Sequence, residues 1–481
     1  MIKLFIDIET YSSVDLAKCG VYEYVNSFDF EVLLIAYSIN GENVKIVDLA
    51  SGEAVPKEFL SLFYDRTVPK VAHNATFERL CLNTIGLKSK SSDWFCTMVK
   101  AAYCGLPLSL GQISTALSLG GDAKDTKGKA LIRYFCIPCK PTKTNGQRQR
   151  NNPQDNPEKW QEFKEYCIQD VYAEIAVYKR LSKYGIPQTE KKAYILDSAI
   201  NDRGVRIDKE FVQSAIKVDY ENTKTLLLQI QNLTGLENPN STPQLKNWLE
   251  TQTGEKFNSL AKDVLSEIME NCEGVVLEVL KLKQKVSRTS IKKYLAMQNA
   301  LGVGDRGRGF FQFYGANRTG RWAGRLVQLQ NLPQNHLKYI ELDRSMFKNL
   351  SVRDLSLLYD NKSDVLSQLI RTAFIPSPGN YFVVADFSAI EARVIAWLAG
   401  ESWRLEVFEI HGKIYEASAS KMFGVPVEEV TKESEYRQRG KIAELALGYQ
   451  GSVGALRQMG GEKMGLDADE MEAIVKKWRK S

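Results

Sequence analysis

Two acids stand two positions apart inside an apolar run, FIDIET at residues 5–10, and this pattern constrains the chain more than any other. An extended segment sends alternate side chains to opposite faces, so Asp7 and Glu9 share one face while Ile6 and Ile8 point to the other. Carboxylates that close repel each other unless a cation neutralises them. The strand pattern recurs in FEVLLIAYSI and KVAHNAT, and the long helical pattern FKEYCIQDVYAEIAVYKRLSKYG follows, which predicts an α/β domain over residues 1–188. Within it, KPTKTNGQRQRNNPQDNPE is polar, basic and rich in breakers, and reads as a flexible loop.

Helical spacing places further polar groups in the same section. Asn74 and Glu78 lie one turn apart in HNATFE, as do Tyr166 and Asp170 in EYCIQD. Cys136 and Cys139 form a CIPC pair, which would need two more ligands to close a tetrahedral zinc site. None of the three histidines, His73, His336 and His411, lies near that pair, so no zinc site is expected. The eight cysteines read as reduced thiols.

A sequence of 481 residues accommodates roughly three domains. No apolar run approaches membrane-spanning length, and the first residues pass directly into a strand pattern without a signal-peptide core. The expected location is cytoplasmic. A net charge of +6 does not by itself identify a partner, so local clusters must decide. KLKQKVSRTSIKKY and RGRGFFQFYGANRTGRWAGR concentrate cations, the second with interleaved aromatics, as a nucleic-acid track would.

The second half changes character. NDRGVRID supplies a turn, residues 209–300 read as long amphipathic helices broken by NPNSTPQ and NCEG, and aromatic strands and turns follow from Phe310. Tyr381–Ala385 reads as a buried strand ending in Asp386, ahead of a helix with Ile390, Val394, Ile395 and Leu398 on its apolar face and Glu391 and Arg393 elsewhere. An N-cap is the plainer reading of Asp386. Residues 402–481 are helical in pattern, with Arg437, Lys441, Leu445 and Tyr449 forming one stripe.

Taken in order, DIET, HNATFE and the Tyr166/Asp170 pair resemble the three motifs of the DEDD proofreading 3′–5′ exonucleases, which have a ribonuclease H-like fold. Glu78 departs from the aspartate usual there, and its extra methylene still allows an outer-shell role. The resemblance implies phosphodiester hydrolysis with two Mg²⁺ ions, or Mn²⁺ in their place, held by Asp7, Glu9 and Asp170, with Tyr166 orienting the attacking water.

VVADFSAIEAR, GANRTGRWAGRLVQLQNLPQ and RQRGKIAELALGYQG resemble motifs of family A DNA polymerases, the polymerase I type also found in phages. That resemblance implies a right-hand polymerase domain with helical thumb and fingers and an α+β palm. The expected boundaries are exonuclease 1–188, thumb 189–310, partial palm 311–400 and partial fingers 401–481. By the same resemblance Asp386 ligates the catalytic metals and Glu391 closes on the nucleotide sugar. Thr319 belongs to the primer-and-template segment, in which Arg321 meets the primer terminus and Gln330 and Asn331 meet the minor groove. Arg437, Lys441 and either His411 or Tyr415 meet the triphosphate of a deoxynucleotide, Tyr449 meets the templating base, and Leu445 stands where relatives often place an aromatic ring. The partners implied are primer–template DNA, single-stranded 3′ ends and deoxynucleoside triphosphates.

The His-Asp-Glu motif that brings a second palm aspartate does not occur; Asp469 and Glu470 sit in a charged helical pattern. The expectation is an incomplete polymerase, active in isolation as an exonuclease, with a second chain as one way to complete the palm. Two further readings are an exonuclease whose polymerase-like half only binds duplex, and a DNA-binding module without chemistry.

Overall fold

The computed structural model describes the chain apart from residues 1, 121–127, 261–264, 266–267, 270, 287–291, 317, 463–464 and 481. Residues 287–291 of the first basic cluster and Asn317 of the second therefore lie outside the described residues. The chain divides into two compact units, Met1–Tyr381 and Phe382–Ser481.

In the first unit, β1 (Leu4–Tyr11), β2 (Glu31–Ile39), β3 (Lys45–Asp48), β4 (Lys70–Ala72) and β5 (Trp94–Cys96) form one sheet in the order β3-β2-β1-β4-β5. β1, β2 and β3 run antiparallel in succession, whereas β4 lies parallel to both β1 and β5. The alternation of β1 decides its environment. Leu4, Ile6 and Ile8 pack with Phe59 and Phe63 of α1 (Lys57–Tyr64), on one face. Phe5 and Tyr11 pack with Trp160, Phe163, Tyr166 and Cys167 of α3 (Pro157–Leu181), on the other. Between them in the chain, α2 (Thr76–Thr84) follows β4. This is the expected ribonuclease H-like α/β architecture, a mixed sheet covered on both faces.

The polar segment is a loop over residues 140–152, followed by a helical turn at Pro153–Asp155 before α3, but it is a tied one: the Cys139 N–H donates to Gln149 O at 2.8 Å, Arg148 pairs with Asp155 at 3.0 Å, and Arg150 reaches Glu31 at 2.5 Å.

The predicted long helices are α4 (Lys209–Thr234), α5 (Thr242–Thr253), α6 (Gly274–Val286) and α7 (Lys292–Asn299). Asp208 caps α4 by accepting from the Phe211 N–H at 3.0 Å, and Gly235, at φ 68°, ends it. Helices α8 (Ile340–Asn349) and α9 (Lys362–Leu369), not anticipated from the sequence, contribute Phe347 and Leu366 to a core with Phe211 and Tyr294. Short strands β6 (Val205–Arg206), β7 (Leu301–Gly302) and β8 (Arg306–Gly307) form one small sheet, and β9 (Phe311–Gln312) pairs with β10 (Ala323–Gly324).

The second unit is helical: α10 (Ile390–Ala399), α11 (Ser402–Ile410), α12 (Ile414–Phe423), α13 (Glu435–Leu447), α14 (Val453–Gln458) and α15 (Ala468–Lys480). Met422, Ile442, Leu447, Leu456, Met471 and Ile474 form its main core.

One expectation is overturned here. Tyr381–Ala385 is neither buried nor a strand: Tyr381 is 82%, Val383 82% and Val384 89% exposed. A strand needs a neighbour for its backbone groups, and no described strand pairs with this segment. Asp386 is not an N-cap either, because α10 begins after Ala389, which takes a left-handed conformation at φ 48°. The helix exists as expected, yet Ile390, Val394, Ile395 and Leu398 are exposed and Ala396 is its buried residue. No helix among the described residues is long and apolar enough to cross a membrane.

Candidate active sites

The first site forms where β1 faces α3. Asp7 and Glu9 share the face of Phe5 and Tyr11, and their carboxylate oxygens lie with Cys167 Sγ in a group whose members are all within 4.8 Å of one another. The pairing register of β1 with β2 shifts between Glu9 and Thr10, an irregularity of the kind that re-aims a side chain beside a site. Two thiols orient the two acids: Cys167 Sγ donates to Asp7 Oδ2 and Cys136 Sγ to Glu9 Oε2, each at 3.7 Å. Burial, followed by the charges of these acids, pushes both thiols well above their ordinary range, so they remain S–H donors. Cys136 is thus committed to Glu9, while Cys139 Sγ donates to Arg148 O at 3.3 Å.

The remaining predicted residues converge on this point. Asn74, at φ 72°, turns the chain from β4 into α2, a left-handed position that asparagine tolerates. One turn later Glu78 is buried, and its Oε2 has no hydrogen-bond partner. Burial and then Asp7 hold its carboxyl well above the ordinary carboxylate range, with Glu9 adding to the effect. Tyr166 donates its hydroxyl to Asp170, and burial followed by the charges of Asp170, Glu9 and Asp7 raises the phenol. Its ring lies parallel to Phe163 at 6.2 Å and 4°, and Phe163 stacks in turn on Phe135 at 5.4 Å.

Besides the two thiols, two further participants are absent from the sequence-derived set. Gly128 abuts the Tyr166 ring so closely that a Cβ there would overlap Cε2, Cζ and Cδ2. Glu174, 1% exposed, continues the Tyr166–Asp170 face of α3 by one turn, and neither of its oxygens has a hydrogen-bond partner. Its i+4 spacing from Asp170 was a visible signal. The charges acting on Glu78 and Glu174 are those of other carboxylates. A set of hard oxygen donors that includes orphaned oxygens of Glu78, Asp170 and Glu174 fits a divalent ion such as Mg²⁺.

Elsewhere in this unit, Thr319 and Arg321 are exposed in the connection between β9 and β10, and Gln330 and Asn331 are exposed in the turn Leu329–Asn331. Gln330 packs over Gly324, where a Cβ would displace its amide. The first basic cluster is partly committed internally: Lys283 is buried, Lys293 Nζ donates to Val327 O at 2.6 Å, and Lys285 Nζ to Asp360 O at 3.4 Å. Lys281 and Lys292 remain exposed. In the second cluster Arg306 and Arg308 hold backbone carbonyls, while Arg318, Arg321 and Arg325 are exposed.

The second unit contains a cavity of about 370 Å³ whose lining includes Asp386, Glu391, Tyr415, Leu445 and Tyr449. The structure therefore gathers residues of two sequence motifs together with Tyr415. Arg437 and Lys441 occupy successive turns of α13, and the Arg437 Nε meets Glu416 Oε1 at 2.6 Å. His411 lies at the end of α11, outside this lining, its Nδ1 accepting from the Lys413 N–H at 3.0 Å. Between the two candidate phosphate contacts, the cavity takes in Tyr415. Sequence reasoning also missed a buried ion pair in the cavity lining: the Arg404 Nη1 donates to both carboxylate oxygens of Glu444, at 2.6 and 2.7 Å, and Ser418 Oγ donates to the same group. Glu444 was visible beside Leu445, but nothing local connects it with Arg404, 40 positions away.

The family described as DNA polymerase family A matches residues 210–480, and a 3′–5′ exonuclease family matches residues 21–185. A DNA polymerase of Bacillus phage SP02 is 55% identical over 478 residues, 99% of this chain and 74% of that protein. Thermostable DNA polymerase I of Thermus aquaticus is 34% identical over 116 residues, 24% of this chain and 13% of the relative. Among solved structures, the POL domain of Pol1 from M. smegmatis in complex with DNA primer-template and dNTP superposes with a TM-score of 0.59 at 18% identity, covering 100% of this chain and 74% of that one. None of these similarities supports a second chain that completes the palm.

Proposed function

Because this chain belongs to DNA polymerase family A and carries a 3′–5′ exonuclease domain, we propose that its two pockets divide the two chemistries: hydrolysis of a DNA 3′ end in the first unit and nucleotide selection in the second. The observation that carries the first assignment is the grouping of the Asp7 and Glu9 carboxylates beside α3, with Glu78, Tyr166 and Asp170 near enough for these charges to act on them. Asp7, Glu9 and Asp170 would hold a pair of Mg²⁺ ions, with Mn²⁺ able to take their place. When bound, such ions neutralise the phosphodiester and lower the pKa of an attacking water. The Cys167 and Cys136 thiols keep the Asp7 and Glu9 carboxylates aimed into the pocket. The Tyr166 hydroxyl, its proton given to Asp170, offers its oxygen lone pairs to orient the water. The aromatic stack beneath it fixes that oxygen's position, and orientation supplies a large part of such rate enhancements.

In the second unit, the α13 stripe would meet the triphosphate. Arg437 offers a planar fork and Lys441 a point charge, with Tyr415 beside them. Glu416 would hold the Arg437 guanidinium until a phosphate replaces it. Asp386 would bind the catalytic metals, Glu391 the sugar side, and Tyr449 the templating base. Thr319, Arg321, Gln330 and Asn331, with the exposed arginines near them, would follow primer–template DNA. Residues 1–188, 189–310, 311–400 and 401–481 would serve as exonuclease, thumb, palm and fingers, working in the cytoplasm.

The test is the Asp7→Ala, Glu9→Ala double variant assayed on single-stranded DNA with Mg²⁺. Release of 3′ nucleotides is expected to vanish while the far-ultraviolet circular dichroism persists. Unchanged release would refute the assignment.

A further inference from the structure

An acid buried to 1% exposure, in an apolar stretch of helix, with no hydrogen bond to either oxygen, is costly unless something neutralises it. Glu174 meets that description. Its neighbours on α3, Ala173 and Val177, pack with Ala101 and Ile113, so water does not reach it from that side. The charged groups that act on it are Asp7, Glu78 and Asp170, all of one sign. Glu78, whose charge is among these, carries an orphaned oxygen of its own, Oε2. Two buried glutamates with unsatisfied oxygens, each acted on by like charges, point to positive charge that these oxygens are placed to receive.

Resting on the exonuclease reading above, we propose that Glu174 is a further cation-anchoring carboxylate of that pocket, acting together with Glu78 on a divalent ion. The longer reach of Glu78, where an aspartate is usual, leaves a different arrangement of oxygens, and Glu174 supplies two more from the adjoining turn of α3. The competing explanation is a permanently protonated acid that serves only packing. Glutamine imitates that protonated acid in shape and charge, which makes the two explanations separable without any catalytic assay.

The experiment is a titration of the full chain with Mn²⁺ alone, free ion being followed by electron paramagnetic resonance, together with thermal unfolding in chelator. Asp7→Asn identifies the part of the isotherm that belongs to the exonuclease pocket. Glu174→Gln is expected to weaken that component tenfold or more, within the range seen when outer partners of a metal site are removed. Its metal-free unfolding midpoint should stay level or rise. Glu174→Met, apolar and similar in length, should behave the same way. Unchanged Mn²⁺ affinity in both variants would overturn the proposal, as would a failure of both to fold, which would show a packing role. If Asp7→Asn itself leaves the isotherm intact, the exonuclease reading falls and this inference with it. If Asp7→Asn removes the component and both Glu174 variants keep it, only the role of Glu174 is lost.

Discussion

Gly128→Ala tests how finely the exonuclease site is positioned. Gly128 opens a helix, its φ is not in the left-handed region, and alanine is favoured over glycine in a helix by about 0.5–1 kcal/mol, so the backbone should accept the change. The obstacle is steric. The most distant of the three Tyr166 ring atoms that a new Cβ would meet, Cδ2, lies at 2.5 Å, whereas ordinary contact begins near 3.4 Å. The ring must therefore retreat by about 1 Å or more, an overpacking strain of about 1–3 kcal/mol. Phe163 lies parallel beside it at 6.2 Å and limits that retreat, so the hydroxyl and its bond to Asp170 move with the ring. Misplacement of about 1 Å near reacting atoms can cost about a hundredfold in rate. Single-turnover release of the 3′ nucleotide from single-stranded DNA, at saturating Mg²⁺ and well below the unfolding midpoint, should fall by about that factor. Tyr166→Phe removes the hydroxyl and keeps the ring. Combining the two should cost little more than the worse one alone, since both act through the same oxygen. An unchanged rate in Gly128→Ala, or two losses that multiply in full, would refute the reasoning.

Two further outcomes follow from buried acids outside that pocket. Asp197 accepts from the Trp322 Nε1–H at 2.8 Å, and burial lifts its carboxyl from the usual 3.8 to about 6. The folded state thus binds the proton more tightly than the unfolded chain, so this group favours folding below about pH 4 and that contribution is lost as pH rises through about 6. Asp197→Asn keeps an oxygen for Trp322 and should stabilise the first unit by about 1 kcal/mol at pH 8, after allowance for solvent screening, with no gain at pH 4. Equal shifts of the unfolding midpoint at both pH values would contradict this. Glu444→Gln removes the buried partner of the Arg404 guanidinium, leaving it the part-exposed Glu401, and should cost the second unit about 1.5–3 kcal/mol in urea unfolding. Arg404→Met added to it should recover part of the loss, and an additive double variant would mean that the pair is not coupled.

The grouping of the proposed exonuclease residues was legible because its information is local. Asp7 and Glu9 share a face by strand alternation, Tyr166 and Asp170 by helical periodicity, and both regularities survive folding because β1 is buried along its length and α3 keeps a buried face from Trp160 to Leu181. Glu174 obeys the same periodicity and was still overlooked, since a glutamate on a helix reads as solvated until its burial is known. Gly128 carried no signal at all. Its role is set by a ring 38 positions away, and a glycine opening an amphipathic stretch has many uses. The Arg404–Glu444 pair and the two thiol donors belong to the same class, contacts that tertiary packing creates between residues of unremarkable local pattern.

The Asp386 segment fails for a different reason, and the contrast explains which inferences from pattern are safe. Helix formation closes its hydrogen bonds within the segment, so periodicity at Ile390–Ala399 suffices to yield a helix even where the expected apolar face lies exposed. Strand formation closes them with a neighbour that the segment cannot encode. An apolar, β-branched run such as Tyr381–Ala385 states a preference for an extended, covered backbone, and that preference is met only where another strand adjoins it. β1 has β2 and β4 on either side and keeps its acids in register; residues 381–385 have no described strand beside them and stay exposed. The cavity lined by Asp386, Glu391 and Tyr449 nevertheless forms, because helices of the second unit suffice to gather it. Positions read from helices in this chain accordingly deserve more weight than the same chemistry read from a lone strand.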